Sequence, residues 1–160
     1  MVRETFDSVT AVKPTLVLSA AVWGIYYDKW NWKTLAGKTD LMQDYREWAR
    51  SGYMDVLVPM TYYRIKNYCD RIDWGCTLDE HLKGDERDTG RQMYIGIDAS
   101  KGAREIVNQI RLARRHGATG MAVFSFTDAD NSRVWPLLEA GVFAERAPVP
   151  EMPWKTQGTH

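Results

Sequence analysis

Four short apolar runs, each followed by a segment with helical periodicity, constrain the fold of this chain more than any other feature. The runs begin near residues 15, 55, 92 and 120. An apolar run without polar alternation is typical of a strand covered on both faces, as in parallel sheets. Strands that alternate with helices are joined by right-handed crossovers. The sequence therefore predicts an α/β fold of four consecutive βα units with parallel strands, which is half of an eight-stranded barrel.

The stretch 43–63, QDYREWARSGYMDVLVPMTYY, contains one such helix–turn–strand unit. Asp40 is expected to cap a helix over residues 40–50, with Gln43 completing a capping box. Gly52 is expected to end that helix, and a buried strand is expected near residues 56–58. Pro59 has no N–H for a strand ladder, so the strand is expected to stop near it. The apolar face of the predicted helix consists of Leu41, Tyr45, Trp48 and Ala49.

The remaining elements are predicted from the same kinds of pattern. Residues 1–147 are expected to form one domain, and residues 148–160 an extended, proline-rich tail. The segment 64–91 is long for a connection, which indicates a functional role or structure of its own. In chain order, the further elements are a helix near 5–12, a strand at 15–19, a short helix near 78–83, a strand at 92–97, a helix capped by Ser100, a strand at 120–125 and a helix near 134–140.

Composition excludes several classes of function. Lys+Arg and Asp+Glu each number 21, so the formal net charge of zero gives no electrostatic reason to expect nucleic acid as a partner. No apolar run is long enough to span a membrane. The first residues lack the apolar core of a signal peptide, which leaves the localisation open and an exported parent protein possible. No dinucleotide or phosphate-binding glycine motif and no G-x-S-x-G motif is present.

Two residue types carry more specific expectations. Seven Trp and eight Tyr are many for 160 residues, and these rings either fill the core or line a ligand such as a sugar. Cys69 and Cys76 are either a disulfide or two free thiols, and no second pair exists to build a zinc site. His81 and His116 are isolated in the sequence. No metal or cofactor is therefore predicted.

Several segments together resemble one family, the family-10-like glycosyl hydrolases, which are bacterial (β/α)₈-barrel proteins. The resemblance spans residues 5 to 155 and corresponds to strands five to eight of the family's barrel. The first four strands have no counterpart, and the family's acidic motif at the end of the fourth strand has no match here. The resemblance thus implies that the chain is the C-terminal part of a longer protein. The matching segments are KPTLVLSAAVW, QDYREWARSGYMDVLVPMTYY, QMYIGI, QIRLARRHGATGMAVFSF and MPWK.

Hydrolysis of a glycosidic bond, which the resemblance implies, needs two carboxyl groups, and in a barrel these lie at the carboxyl ends of strands. The candidate catalytic residues are Asp98, after the third predicted strand, and Asp128, after the fourth. Each has a second interpretation, as a partner of the following helix N-terminus. Asp55 precedes its strand and is discounted. The rings of Trp23, Tyr62 and Tyr63 have the alternative role of closing the barrel top. The candidate substrate-binding residues are Trp23, Tyr26, Met60, Tyr62, Tyr63 and Ser125.

The resemblance implies a glycoside hydrolase that cleaves a polysaccharide or glycan by carboxylate acid/base catalysis and is inactive without the other half of its barrel. The alternative is a carbohydrate-binding or cell-envelope interaction protein without catalysis. The expected partners are a carbohydrate and either the missing half of the barrel or a second copy of the chain. A half-barrel has two open sheet edges and an uncovered inner face, so aggregation or a dimer that imitates a whole barrel is predicted. The sugar, its linkage and the stereochemical outcome stay open.

Overall fold

A single parallel sheet forms the centre of the molecule, in a computed structural model that describes residues 1–131 and 133–156. The strands lie in the sheet in chain order, and every neighbouring pair is parallel. Because strands alternate with helices, the predicted α/β fold of consecutive βα units is confirmed. The strands are β1 (Ser19–Trp23), β2 (Val56–Met60), β3 (Gln92–Asp98) and β4 (Gly120–Phe124).

The helices follow or connect these strands. Beyond α-helices there is a 3₁₀ turn at Ala99–Lys101, and there are π-helical stretches at Glu80–Glu86 and Leu138–Val142. The helix after β3 begins at Ala103 with Gly102 at its N-cap, so the prediction that Ser100 caps it is wrong. The α-helices are α1 (Val2–Val12), α2 (Gly37–Asp40), α3 (Tyr45–Arg50), α4 (Trp74–Asp79), α5 (Arg87–Thr89), α6 (Ala103–Arg115), α7 (Phe126–Asn131), α8 (Trp135–Leu137) and α9 (Pro153–Thr156).

The first strand lies four residues later than the predicted strand at 15–19. Leu18 is held by the start of β2, because its N–H donates to the Asp55 carboxylate and its carbonyl accepts from the N–H groups of Asp55 and Val56. Strand pairing then begins with Ser19 opposite Val56. The apolar run 15–18 therefore leads into the sheet and does not belong to it.

The predicted helix over residues 40–50 forms only in its second half, as α3, because α2 ends at Asp40. Met42 has a left-handed φ of 56°, which interrupts the helical path. Asp44 caps α3 by accepting from the Glu47 N–H, and the Asp40 carboxylate instead accepts from the Ala36 N–H at 2.7 Å. The expected strand end near Pro59 is confirmed, because β2 ends at Met60, although Pro59 itself still lies within the strand, opposite Val22.

One face of the sheet is covered by helices and forms the core. Most strand residues on this face are fully buried, and Ile106 and Ile110 of α6 and Trp74 and Leu78 of α4 belong to the same buried cluster. Full burial of one such aliphatic side chain contributes about 1.5–3 kcal/mol to folding. The buried residues that the strands contribute to this face are Val22, Leu57, Met93, Ile95 and Ile97.

The opposite face of the sheet is only partly covered by the described residues. Its side chains alternate with those of the core face along each strand, as the two-residue period of a strand requires. Ala21 and Phe124 are exposed, Val56 and Gln92 at the starts of the two central strands are buried, and the larger side chains between them are half-buried. The half-buried members of this face are Trp23, Val58, Met60, Tyr94 and Ala122.

The long segment 64–91 has structure of its own. Cys69 and Cys76 form a disulfide, which decides between the two expected states of these residues. Asp73 caps α4 by accepting from the Cys76 N–H at 3.0 Å, and its carboxylate also accepts from the Asn67 N–H at 3.0 Å. The helical part extends from Trp74 to Thr89, well beyond the short helix predicted near residues 78–83.

The C-terminal tail returns to the amino-terminal end of the sheet. Residues 148–152 have no regular structure, whereas α9 is helical where an extended chain was expected. The Trp154 Nε1–H donates to Asp55 Oδ1 and the Lys155 Nζ lies 2.8 Å from Asp55 Oδ2. The tail therefore supplies partners for a carboxylate that is only 2% exposed. Residues 157–160 of the predicted tail lie outside the described residues.

Candidate functional site

The carboxyl ends of the strands form one rim of the sheet. The last residues of the strands are Trp23, Met60, Asp98 and Phe124, and the register pairs Trp23 with Met60 and Asp98 with Phe124. Ligands of α/β proteins bind outside this end of the sheet. The rim thus combines aromatic rings, a thioether and a carboxylate.

Tyr62 and Phe124 form an aromatic platform at this rim. Their rings are stacked, with centroids 5.6 Å apart and planes inclined by 18°. Gly96 of the intervening strand makes room for this arrangement, because a Cβ there would lie 3.2 Å from Tyr62 Cε1 and would also collide with the Pro59 carbonyl oxygen. Phe124 is 59% exposed, so the platform presents an apolar surface to a ligand.

Asp98 lies close to this platform and is held as a carboxylate. Its Oδ1 accepts from the Ser100 N–H at 2.9 Å, and its Oδ2 pairs with Lys101 Nζ at 2.9 Å. Burial works to raise the pKa of Asp98, but hydrogen bonds from Ser100 and Lys101 and the charge of Lys101 outweigh it and lower the pKa. The side chain is 16% exposed. Asp98 is therefore ionised at neutral pH, and it also starts the 3₁₀ turn Ala99–Lys101, as its second interpretation expected.

The negative charge of Asp98 affects the pKa of Tyr62, one of the two rings of the platform. The pKa of Tyr62 is raised, first by burial and then by the negative charge of Asp98. A raised pKa means that the Tyr62 hydroxyl stays protonated and able to donate a hydrogen bond at all physiological pH values. The structure thus brings together two of the predicted site residues, Tyr62 and Asp98.

Ser125 and Asp128 are joined to each other after β4. The Ser125 hydroxyl donates to Asp128 Oδ2 at 2.7 Å, and the Asp128 N–H approaches Ser125 Oγ at 3.4 Å. Asp128 lies in the first turn of α7, where a negative charge stabilises the helix. The peptide bond between Phe124 and Ser125 is cis. The contacts between Ser125 and Asp128 therefore stabilise the start of α7.

Trp23 and Met60 lie side by side at the rim. The Trp23 N–H donates to Gln43 Oε1 at 2.8 Å, and its indole Nε1–H donates to the Leu35 carbonyl at 2.7 Å. These two bonds fix the backbone and the ring of Trp23. Both residues are half-buried, so the structure leaves each with surface for contact with a ligand.

Tyr26 is buried in the core, whereas Tyr63 borders a cavity beside the platform. Tyr26 is 2% exposed and packs at 4.9 Å against Tyr45 of the core. Burial, followed by its hydrogen bond to Asp44, raises the pKa of Tyr26 to about 12. Burial also raises the pKa of Tyr63, which packs against the core cluster and, together with Tyr62, lines a cavity of about 310 Å³. The placement of Tyr26 supports a packing role, whereas Tyr63 has surface in a cavity that a ligand can enter.

A second concave region lies beside the loop after β1, and sequence analysis did not identify its residues as a site. It is a cavity of about 570 Å³ between that loop, the disulfide and the helical segment that starts with α4. Glu80 is its most buried charge, 6% exposed, with Arg46 at 2.8 Å and Lys29 at 3.6 Å. Trp30 borders it and stacks on Trp32 with ring centroids 4.3 Å apart. The cluster of tryptophans and lysines at 29–33 was the sequence signal for this region.

Phe124 is the rim residue that sequence analysis missed. It is the last residue of an apolar run and therefore looked like part of a buried strand. Its position opposite Asp98 shows its role only once the register of β3 and β4 is known.

The described residues contain neither a cluster of metal ligands nor a membrane-spanning helix. Within residues 1–131 and 133–156, no group of three or more His, Cys, Asp or Glu side chains is placed to hold a metal ion. His81 is buried and bonds through Nε2 to the Gly24 carbonyl, and His116 pairs with Asp79 at 2.7 Å. In the same described ranges, every helix is too short or too polar to cross a bilayer.

No protein-family model and no curated protein matches this chain.

Proposed function

We propose that the chain is one half of a (β/α)₈-barrel glycoside hydrolase whose rim binds a sugar between the Tyr62–Phe124 platform and Asp98. The observation that carries this proposal is the stacked ring pair beside an ionised carboxylate at the carboxyl end of a parallel sheet. The C–H groups on one face of a pyranose pack against aromatic rings. Carboxylate oxygens accept hydrogen bonds from its hydroxyl groups.

The charge state of Asp98 limits its part in the reaction. Glycoside hydrolysis uses one protonated carboxyl group as the acid and one ionised carboxylate as base or nucleophile. Because its pKa is lowered, Asp98 suits the ionised role. Asp128 is the second candidate, and its contact with the Ser125 hydroxyl orients it at the start of α7. The other carboxyl group comes from the half that completes the barrel.

A second candidate function is carbohydrate binding without hydrolysis. The observation that favours it is the ion pair between Asp98 and Lys101, which keeps the best-placed carboxylate deprotonated. An ionised carboxylate next to an aromatic platform is sufficient to bind a sugar. It is insufficient to protonate a leaving group.

Saccharide titration tests the shared part of the two functions. Soluble fragments of β-1,4-glucan, xylan, mannan and chitin are titrated against the full chain and followed by NMR. Phe124→Ala, which removes the exposed half of the platform, is expected to weaken binding at least tenfold. Phe126→Ala is the matched control, because Phe126 is 73% exposed and packs against Trp135. Absence of binding by all fragments, or equal loss in both variants, would overturn the proposal.

Hydrolysis separates the two functions. Release of reducing ends is measured with the saccharide that binds, in a protein that contains the complete barrel. Loss of turnover in Asp98→Asn with retained binding supports the hydrolase. Binding without any turnover in the unmodified protein supports the non-catalytic alternative, and unchanged turnover in Asp98→Asn removes Asp98 from the reaction.

A further inference from the structure

A cavity of about 360 Å³ lies at the amino-terminal end of the sheet, opposite the rim. Its walls come from α1, the turn that ends α3, the residues just before β2 and β3, and α9. The residues before the strands are Asp55 and Arg91, and they precede the two central strands. The other half of a barrel would pair with the outer strands, so it is not needed to complete this cavity. The volume is within the range of about 300–1,000 Å³ that is usual for small-molecule sites.

The acidic residue of this cavity, Asp55, already has three partners. Its Oδ2 accepts from the Leu18 N–H and pairs with Lys155 Nζ, each at 2.8 Å, and its Oδ1 accepts from the Trp154 indole N–H at 2.8 Å. Arg91 is the other cation in the lining. Among the side chains that the structure describes, no carboxylate forms an ion pair with it. The lining therefore carries two positive charges and one negative charge, which favours an anion.

The Arg91 guanidinium is held in position by packing. Its Cζ lies 4.6 Å from the centroid of the Trp154 ring, and a Cβ at Gly52 would lie 3.2 Å from its Nη2. Its Nε is buried without a hydrogen-bond partner, and neither Nη donates to a described protein atom. Packing thus fixes the guanidinium plane and leaves its donors unused. A fixed guanidinium with free donors binds carboxylate and phosphate groups through two parallel hydrogen bonds.

We propose that this cavity binds a small organic anion whose carboxylate or phosphate group pairs with the Arg91 guanidinium. Phe6, Pro14 and the Trp154 ring form apolar parts of the wall, against which a compact apolar body of the ligand packs. Lys155 adds a second positive charge to the lining. An inorganic ion would fill a small part of the 360 Å³ and leave the apolar wall uncovered, so the cavity favours an organic anion.

A purely structural role for Arg91 accounts for less of this arrangement. Lys155 shows how a cation of this cavity is used structurally, because it pairs with Asp55 and donates to the Leu16 carbonyl at 2.8 Å. Arg91 has no such partner among the described side chains, although its side chain is half-buried. A partly buried charge without a partner destabilises a fold. A bound anion removes this destabilisation, whereas stacking on Trp154 does not.

NMR titration of the full chain with three probes of the same shape tests this inference. Benzoate and phenyl phosphate carry the two candidate groups on one ring, and benzamide is the uncharged control. At least one of the anions is expected to bind and to shift the Trp154 indole N–H resonance, and the better anion identifies the group that the site prefers. Failure of both anions to bind, or equal binding of benzamide, would overturn the proposal.

Arg91→Gln separates the site from general attraction of anions. It is expected to weaken binding of the preferred anion roughly tenfold or more, because the charged, two-point contact is lost. Arg50→Gln is the matched control, since Arg50 is exposed at the end of α3 and outside the lining. Unchanged binding in Arg91→Gln, with its fold verified by circular dichroism, would contradict the assignment.

The unmodified chain provides a second readout that does not depend on the folding of any variant. The anion is expected to shift the indole resonance of Trp154 and to leave those of Trp23 and Trp30, outside this cavity, unchanged. Shifts confined to Trp23 or Trp30 would place the anion elsewhere and reject the site. No saccharide is used and the cavity lies at the opposite end of the sheet from the rim, so the outcome is independent of whether the rim binds sugar.

Discussion

Gly96 and Gly120 determine where two tyrosine rings lie on the sheet. A side chain at Gly96 would meet Tyr62 and the Pro59 carbonyl, and one at Gly120 would meet the ring of Tyr94. Neither glycine is among those with a left-handed φ, so an unusual backbone angle does not explain a glycine at either position. Their function is to leave space. The platform at the rim therefore depends on an absent side chain in the strand beneath it.

Gly96→Ala tests this dependence. The new methyl group faces the backbone of β2, which cannot move aside as the end of a flexible side chain can. The free energy of unfolding is expected to fall by about 1–3 kcal/mol, as in other overpacked sites. Gly84→Ala is the control, because a Cβ there meets nothing within 4 Å and alanine favours a helix. Urea denaturation of both variants gives the comparison, and equal stability of the two would contradict the packing argument.

The ionised state of Asp98 predicts a pH dependence. The folded-state pKa is below the ordinary carboxyl value, so Asp98 stabilises the fold above the unfolded pKa of about 3.9. That contribution is lost as the pH falls through the lowered folded-state pKa. Asp98→Asn is therefore expected to reduce the free energy of unfolding at pH 6 and to have less effect at pH 3. The exposed Asp130→Asn is the control. An Asp98→Asn effect that is equal at both pH values would contradict the assignment.

At the scale of elements, apolar periodicity predicted which elements exist but not where they begin. The first strand starts at Ser19 because Leu18 is held by Asp55, a contact across 37 residues that no local pattern contains. α3 starts at Tyr45 because Met42 has a left-handed φ and Asp44 caps the helix, and the Gln43 side chain between them accepts from the distant Trp23 N–H. Only part of the rim could be predicted from local patterns. The position of Asp98 was predicted because it directly follows an apolar run, whereas the contact of Phe124 with Tyr62 requires the register of the strands.

Asp55 links the tail to the sheet, and its position before a strand had excluded it only from the catalytic candidates. Lys155→Met removes one charge partner of a carboxylate that is 2% exposed. Loss of a partner from a buried ion pair is expected to reduce the free energy of unfolding by about 3 kcal/mol. Lys13→Met, at an exposed lysine, is the control. Asp55→Asn should largely cancel the effect of Lys155→Met in a double-mutant cycle, and additive effects would show that the two groups do not interact.

For the whole molecule, the number and direction of strands followed from the sequence because each βα unit carries its own pattern. How the sheet is completed did not, because it depends on surfaces of the folded chain. Among the described residues, one covered face, one partly covered face and two edges without a partner strand appear only when the strands are assembled. No single motif in the sequence shows these surfaces.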